Sequence, residues 1–189
     1  MGDFKYTVSD LSFETKRLLI RNIIGSNDDN NQNKRFAEEV LNLLTARVTE
    51  YLPDGCKDIN NMEDALKWIN DRHEESTVLS VKLRSTDELV GLIFLYESET
   101  QDRYSDLRFG YLISETIWGK GYGTELIGGL VGWCENSRII KSLSGGVATK
   151  NVGSVRIMEK CGFAPDTSDG PVGEVAIFTR EFVVETNEV

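Results

Sequence analysis

No run of about 20 apolar residues, the length a bilayer-spanning helix needs, occurs anywhere in the 189 residues. A membrane span is therefore excluded as an expectation. Positive charge is scarce: 21 Lys and Arg against 31 Asp and Glu leave a formal net charge of −10. Such a chain lacks the basic face that a general phosphate-backbone binder requires, so nucleic acid is not an expected partner, and a cationic substrate suits the balance better. Histidine occurs once, at His73, and the three cysteines (Cys56, Cys134, Cys161) are widely spaced. That inventory fits neither a disulfide framework nor a Cys-x-x-Cys metal site, and it gives no parts for a Cys–His nucleophile or a histidine metal cluster. The thiols are read as reduced and buried. The opening "MGDFKY" lacks the apolar stretch of a signal peptide, and Tyr6 stands where a myristoylation site needs Ser or Thr, so a cytoplasmic protein is expected.

What is present suits one domain: 40% of the residues are hydrophobic, enough for a sizeable core. Residues 1–12 read as a loose arm, and "KRLLIRNI" (16–23) alternates as a first strand. The polar run "GSNDDNNQN" is a surface turn leading into a helix over 34–47, where Phe36, Val40, Leu43 and Leu44 recur at helical spacing. A second helix is expected over 62–73, with Leu66 and Ile69 facing in. Between them "EYLPDGCKD" is broken by Pro53 and Gly55. Strands follow at 77–83, 88–96 and 106–113, the first two joined by a hairpin turn at "STDE". A helix over 121–136 carries the stripe Leu126, Ile127, Leu130, Val131 and Cys134. Its internal Gly128, Gly129 and Gly132 each cost roughly 1 kcal/mol relative to Ala, for which close packing on the sheet is the expected compensation. A strand at 142–149, a helix at 152–161 and a strand at 172–182 complete the chain. Clustered strands followed by strand–helix alternation indicate an α/β or α+β domain with a mixed sheet.

The stretch "WGKGYGT" (118–124) places three glycines around a lysine just before a helix. It is not a Walker A loop, because Lys120 is followed by Gly121 rather than Ser or Thr. Nor is it a dinucleotide fingerprint, because neither Gly119 nor Gly121 starts a G-x-G-x-x-G series. What remains is a set of exposed backbone N–H groups at the positive end of a helix, a place that binds phosphate readily; the plainer alternative is a helix start packed tightly on the sheet. Further on, "NVGSVRIMEKCGF" sets Asn151 at an N-cap, Ser154 three residues later and Gly162 just past the helix end.

Together "ETKRLLIRNI", "GYLISETIWGKGYGTEL" and "NVGSVRIMEKCGF" resemble the GNAT superfamily of acyl-CoA-dependent N-acyltransferases over nearly the whole chain. Within it they look most like the branch of Rim-type N-terminal acetyltransferases of ribosomal proteins. The superfamily loop reads Q/R-x-x-G-x-G/A; here Trp118 takes the first position, followed by Gly121 and Gly123. The resemblance implies one domain over 1–189 with a mixed, mostly antiparallel, twisted sheet of about seven strands and helices on both faces. Two strands would splay at the acetyl-CoA site. It implies that Trp118, Gly119, Lys120, Gly121, Tyr122, Gly123 and Thr124 hold the pyrophosphate of acetyl-CoA. Tyr111, Leu112 and Ile113 would offer backbone groups to the pantetheine, and Asn151, Ser154 and Arg156 would line the other side. No metal is implied.

Acetyl transfer to an amine needs a neutral amine, a polarised thioester carbonyl and a proton for the departing thiolate. An α-amino group, with a pKa of about 7.7–8.0, is partly neutral at cellular pH, whereas a lysine amine near 10.4 needs more help. Arg108 stands where many relatives carry a glutamate, which leaves Asp106, on the same strand face, as the first carboxylate candidate; Glu97 and Glu99 are alternatives. Met158 stands where relatives carry a tyrosine acid and cannot donate a proton. Ser154 is the nearest substitute, with Tyr111 and Tyr104 behind it. Direct transfer is preferred, since no cysteine has an evident activating partner. The expected acceptor is a protein or peptide N-terminus, with aminoglycosides, polyamines and amino acids as alternatives; a catalytically weak acyl-CoA-binding module is the reading of another class. A homodimer through exposed strand edges is compatible with all of these.

Overall fold

The computed structural model describes residues 8, 11–23, 30–99, 104–166 and 174–184. Its strands are β1 (Phe13–Glu14), β2 (Leu18–Asn22), β3 (Thr77–Leu83), β4 (Leu89–Glu99), β5 (Ser105–Ile113), β6 (Ile140–Ala148), β7 (Ala164–Pro165) and β8 (Val175–Glu181). They form one eight-stranded sheet in the order β1-β2-β3-β4-β5-β6-β8-β7. Every neighbouring pair is antiparallel except β5 with β6. Six of the eight correspond to the strands delimited in the sequence; the other two, β1 and β7, are two-residue pieces too short to leave a periodic signal.

The helices are α1 (Asn30–Leu43), α2 (Ala46–Thr49), α3 (Met62–Glu75), α4 (Tyr122–Ser137) and α5 (Val152–Lys160). Thr45 caps α2 by accepting the Val48 N–H, which divides the single helix expected over 34–47 into two. α1 and α3 cover one sheet face, where Val40, Trp68, Phe94 and Leu112 share a core. In α3 the buried residues are Ala65 and Trp68, with Leu66 and Ile69 only partly covered. α4 and α5 cover the opposite face, where Leu126, Ile127, Leu130 and Cys134 are fully buried with Met158 against β5 and β6. Val8 and Leu11 belong to this second core, so those two residues of the stretch expected to be loose are held by burial. No helix among the described residues is long and apolar enough to cross a membrane.

The glycines inside α4 differ from expectation. A Cβ on Gly129 would strike the Phe13 ring at 2.6 Å and Thr15 at 2.9 Å, so that position is a close approach to the sheet edge. At Gly128 and Gly132 it would meet nothing within 4 Å. Packing therefore accounts for one of the three.

Candidate active site

The parallel pairing of β5 with β6 runs only from Ser105↔Ile140 to Arg108↔Ser144. Beyond that point β5 stays with β4 as far as Gly91↔Ile113, and β6 stays with β8 as far as Ala148↔Val175. The sheet therefore opens into a V. The Ser114 N–H donates to the Val90 carbonyl at 2.8 Å, which sets the phase of the ladder. Residues 108, 110 and 112 direct their backbone groups toward β4, and Phe109, Tyr111 and Ile113 direct theirs into the opening. Of the three residues expected to offer free backbone, Leu112 is thus committed to β4. The Ile113 carbonyl accepts the Trp118 indole N–H at 2.9 Å. Tyr111 keeps both groups aimed at the V.

A cavity of about 550 Å³ runs from this opening along the start of α4. It gathers Tyr111, Leu112, Ile113, Trp118, Gly119, Gly121, Tyr122, Gly123, Thr124, Asn151, Ser154 and Arg156. Of the cofactor residues expected from the sequence only Lys120 is missing from the wall; its Nζ donates to the Thr116 carbonyl at 2.8 Å. Gly119 (φ 72°) and Gly121 (φ 80°) adopt left-handed backbone, which is why these positions are glycine. Gly121 is also the N-cap of α4 and supplies no side-chain acceptor. The first-turn amides are left for a ligand.

Glu125, in that first turn, would cancel the positive helix end if its charge were free. It is held elsewhere. Its Oε1 accepts the Thr15 hydroxyl at 2.6 Å and the Arg17 backbone N–H at 2.7 Å, and its Oε2 accepts Arg17 Nε at 2.6 Å. Burial alone would push this carboxyl up, but the bonds from Thr15 and Arg17 outweigh it and hold the carboxyl below its usual range. Arg17 also donates Nη1 to the Lys120 carbonyl at 3.1 Å and lies 3.8 Å over the Tyr122 ring. Thr15 and Arg17 thus brace the glycine loop from the turn between β1 and β2. Their stretch reads as an ordinary strand in the sequence, and only the contact across 108 residues reveals the role. The remaining wall adds the cations Arg47, Lys150, Arg156 and Lys160 and one carboxylate, Glu50; Arg47 is paired with Glu115 at 2.8 Å and Lys150 with Glu174 at 2.5 Å, so the excess comes from Arg156 and Lys160. In a chain of net charge −10 this local excess suits a phosphorylated ligand.

A second cavity of about 530 Å³ lies on the other side of the V. The two share Tyr51, Leu52, Tyr111, Asn151 and Ser154. At this junction Tyr111 Oη donates to Ser154 Oγ at 3.1 Å, and burial pushes the Tyr111 hydroxyl up to about 12. The pair keeps its protons at neutral pH. Asn151 Oδ1 accepts the Ser154 N–H at 3.0 Å and caps α5. The capping role is taken by Asn151, and the Ser154 hydroxyl is left to the cavities.

The carboxylates expected near this point are not brought to it. Asp106 shares the strand face of Arg108 but lines neither cavity, and its Oδ1 accepts the Ser142 hydroxyl at 2.6 Å. Glu97 pairs with Leu107, on the other face, and accepts the Ser105 hydroxyl at 2.6 Å. The Glu99 side chain lies outside the described residues. Tyr104 and His73 line neither cavity. The three cysteines are free and buried; burial raises each thiol, that of Cys134 to about 12.

The acetyltransferase (GNAT) domain family matches residues 17–164. An uncharacterized N-acetyltransferase, p20 of Bacillus licheniformis, is 23% identical over 119 residues, 61% of this chain; the chain spans 66% of that relative's length. Among solved structures, the ribosomal-protein-S5-alanine acetyltransferase of Vibrio fischeri superposes with a TM-score of 0.62 at 13% identity, covering 91% of this chain and 97% of its own. The spermidine N-acetyltransferase of Vibrio cholerae, solved with CoA and spermine, superposes with a TM-score of 0.65 at 18% identity, covering 87% and 95%.

Proposed function

The chain belongs to the acetyltransferase (GNAT) domain family, and from that premise we propose that it is an acetyl-CoA-dependent N-acetyltransferase acting on a primary amine, in the first instance a protein or peptide N-terminus. The observation that carries this reading is the meeting of two cavities at Tyr111 and Ser154, between strands that part after Arg108↔Ser144. The first cavity fits acetyl-CoA on chemical grounds: an uncapped helix start, a sequestered Glu125 and an excess of cations suit the cofactor's phosphates. Trp118, Gly119, Gly121, Tyr122, Gly123 and Thr124 would hold the pyrophosphate, with Arg156 beside them.

When bound, acetyl-CoA supplies an acetyl group activated as a thioester. The Tyr111 backbone, aimed into the V, is the group on this chain suited to orient and polarise a carbonyl there. Ser154 Oγ accepts from Tyr111 and so keeps its own proton available at the junction, the position from which a departing thiolate would be neutralised. Direct transfer is favoured, because no cysteine lines either cavity and burial keeps all three as thiols. No carboxylate or histidine among the described residues lines the second cavity. A site without a strong base favours an amine that is already partly neutral, which supports an N-terminal amine over lysine or a polyamine. The likeness to the S5-alanine acetyltransferase is compatible with that acceptor, as the likeness to the spermidine N-acetyltransferase is with a polyamine, so the choice rests on the base rather than on the neighbours.

The test is thiol release from acetyl-CoA, with CoA binding measured in parallel, against peptides with free N-termini, lysine peptides, polyamines, aminoglycosides and amino acids. Selective release with N-terminal peptides is the expected result. Tight CoA binding without release to any amine would replace the enzyme reading with that of an acyl-CoA-binding module.

A further inference from the structure

The charge of the second cavity is opposite to that of the whole chain. Among the described residues that line it, Arg108 is the one that carries a formal charge; the rest are tyrosines, apolar side chains, glycines, serines and Asn151. Arg108 is exposed on β5. The carboxylate two positions back on its strand face, Asp106, is occupied with Ser142 and lies outside the cavity wall, while Glu97 faces the other side of the sheet. Overall acidity would favour a cationic acceptor, but selectivity is set where the acceptor sits, and there the one formal charge among the described lining residues is positive.

We propose that the acceptor carries a carboxylate near its reactive amine, and that Arg108 recognises it; this rests on the acetyl-transfer reading of the junction. The guanidinium presents a planar fork of donors that matches a carboxylate with two parallel hydrogen bonds. It also repels a second ammonium group, so a polyamine is disfavoured by the same side chain. Spacing narrows the choice. Arg108 lies three residues along β5 from Tyr111, roughly 10 Å of extended strand, and the odd spacing puts the two side chains on opposite faces, so an acceptor reaches both only by crossing the opening beside the strand. A carboxylate on the first or second side chain of a peptide matches that separation better than the α-carboxylate of a free amino acid, which is fixed beside its amine. The acceptor class is therefore a peptide N-terminus followed closely by Asp or Glu. Tyr51, Tyr96 and Phe109, on the same wall, give the intervening backbone an apolar surface to lie on.

The experiment uses peptides identical except for Glu, Gln or Lys at the second position, together with free glutamate and spermine. Two quantities are read: kcat/KM at saturating acetyl-CoA, and calorimetric binding to the CoA-loaded enzyme without turnover. The wild-type enzyme should prefer Glu over Lys by about tenfold, the scale of one charge-assisted hydrogen bond. Arg108→Gln should level the series, and Arg108→Glu should reverse it, with melting temperatures showing that both variants fold. A flat wild-type series, or an order that persists in Arg108→Glu, overturns the proposal. Tighter binding of free glutamate than of the Glu peptide overturns its peptide form. The two readings fail separately. Charge-ordered binding without acetyl transfer removes the enzyme reading and leaves Arg108 as the carboxylate-recognising residue of a peptide-binding site, whereas transfer without charge order keeps the enzyme reading and overturns the role of Arg108.

Discussion

The two cavities that meet at Ser154 are built from different materials. The first is made chiefly of backbone: left-handed glycines, an uncapped helix start and strand edges that no neighbour pairs. The second is made of side chains, with Tyr51, Tyr96, Phe109 and Arg108 projecting from elements that would exist without them. A backbone site tolerates change in most side chains but not in dihedral angles. A side-chain site does the opposite, and can change its ligand without changing the fold.

The sharpest way to break this contrast is at Gly121. Valine there would have to adopt φ near 80°, which for a β-branched residue costs enough to move the loop, and CoA affinity should fall by more than about tenfold. Gly128→Ala, in the same helix, is the control. Its methyl meets nothing within 4 Å, so it should raise stability by up to about 1 kcal/mol and leave CoA titration unchanged. Full CoA affinity in Gly121→Val would show that the first cavity does not depend on that backbone.

At the junction the effect should appear in turnover rather than in binding. Ser154→Ala removes the proton held between the cavities and should lower kcat by about tenfold or more, with little change in KM for acetyl-CoA. Tyr111→Phe removes only the donor to Ser154 and should lower it less. Steady-state kinetics that leave kcat intact in both variants would remove the hydroxyl pair from the mechanism.

A smaller effect is expected from Arg17, which touches the glycine loop from behind. Arg17→Ala leaves Glu125 Oε1 with the Thr15 hydroxyl and the residue-17 N–H but removes its charge partner, so an uncompensated carboxylate stands at the start of α4, and it loosens the Lys120 carbonyl. KM for acetyl-CoA should rise several-fold while kcat holds. Adding Glu125→Gln should recover part of the loss, because the misplaced charge is then gone. If the double variant is no better than the single, Arg17 acts by packing alone.

The same contrast explains what could be read in the sequence. Glycine spacing, the Asn151 cap and the alternation of β3 to β5 are local signals, so the element order was legible from residues alone, whereas the residues of the first cavity were named through the resemblance to the GNAT superfamily, the glycine loop by itself leaving an anion site and a packed helix start both open. Lys120 is the exception: it sits amid the motif, but its side chain closes the turn by bonding to Thr116. Contacts between distant segments were not legible. Nothing local ties Thr15 and Arg17 to Glu125, or shows that Asp106 is engaged by Ser142 across the β5–β6 pair. Alternation put Asp106 and Arg108 on one face correctly, but it could not tell how far along the strand the V begins, and that point leaves Arg108 on the cavity wall and Asp106 off it.

The finest test of the junction is alkaline stability. The Tyr111 hydroxyl moves from an ordinary value of 10.0 to about 12 on folding, through burial, partly offset by its bond to Ser154. Between those values the unfolded chain has released this proton and the folded chain has not, so stability must fall as pH rises. The contribution is complete below about pH 10 and gone above about pH 12, and it amounts to no more than about 3 kcal/mol. Cys134, raised to about 12 from 9.0, acts in the same direction and starts at lower pH. Urea midpoints measured from pH 9 to 12 should therefore fall in both proteins, but less steeply in Tyr111→Phe above pH 10. Parallel curves would mean that water already reaches the Tyr111 hydroxyl. In that case the boundary between the two cavities would be open to solvent, and Ser154 Oγ would accept from water as well as from Tyr111.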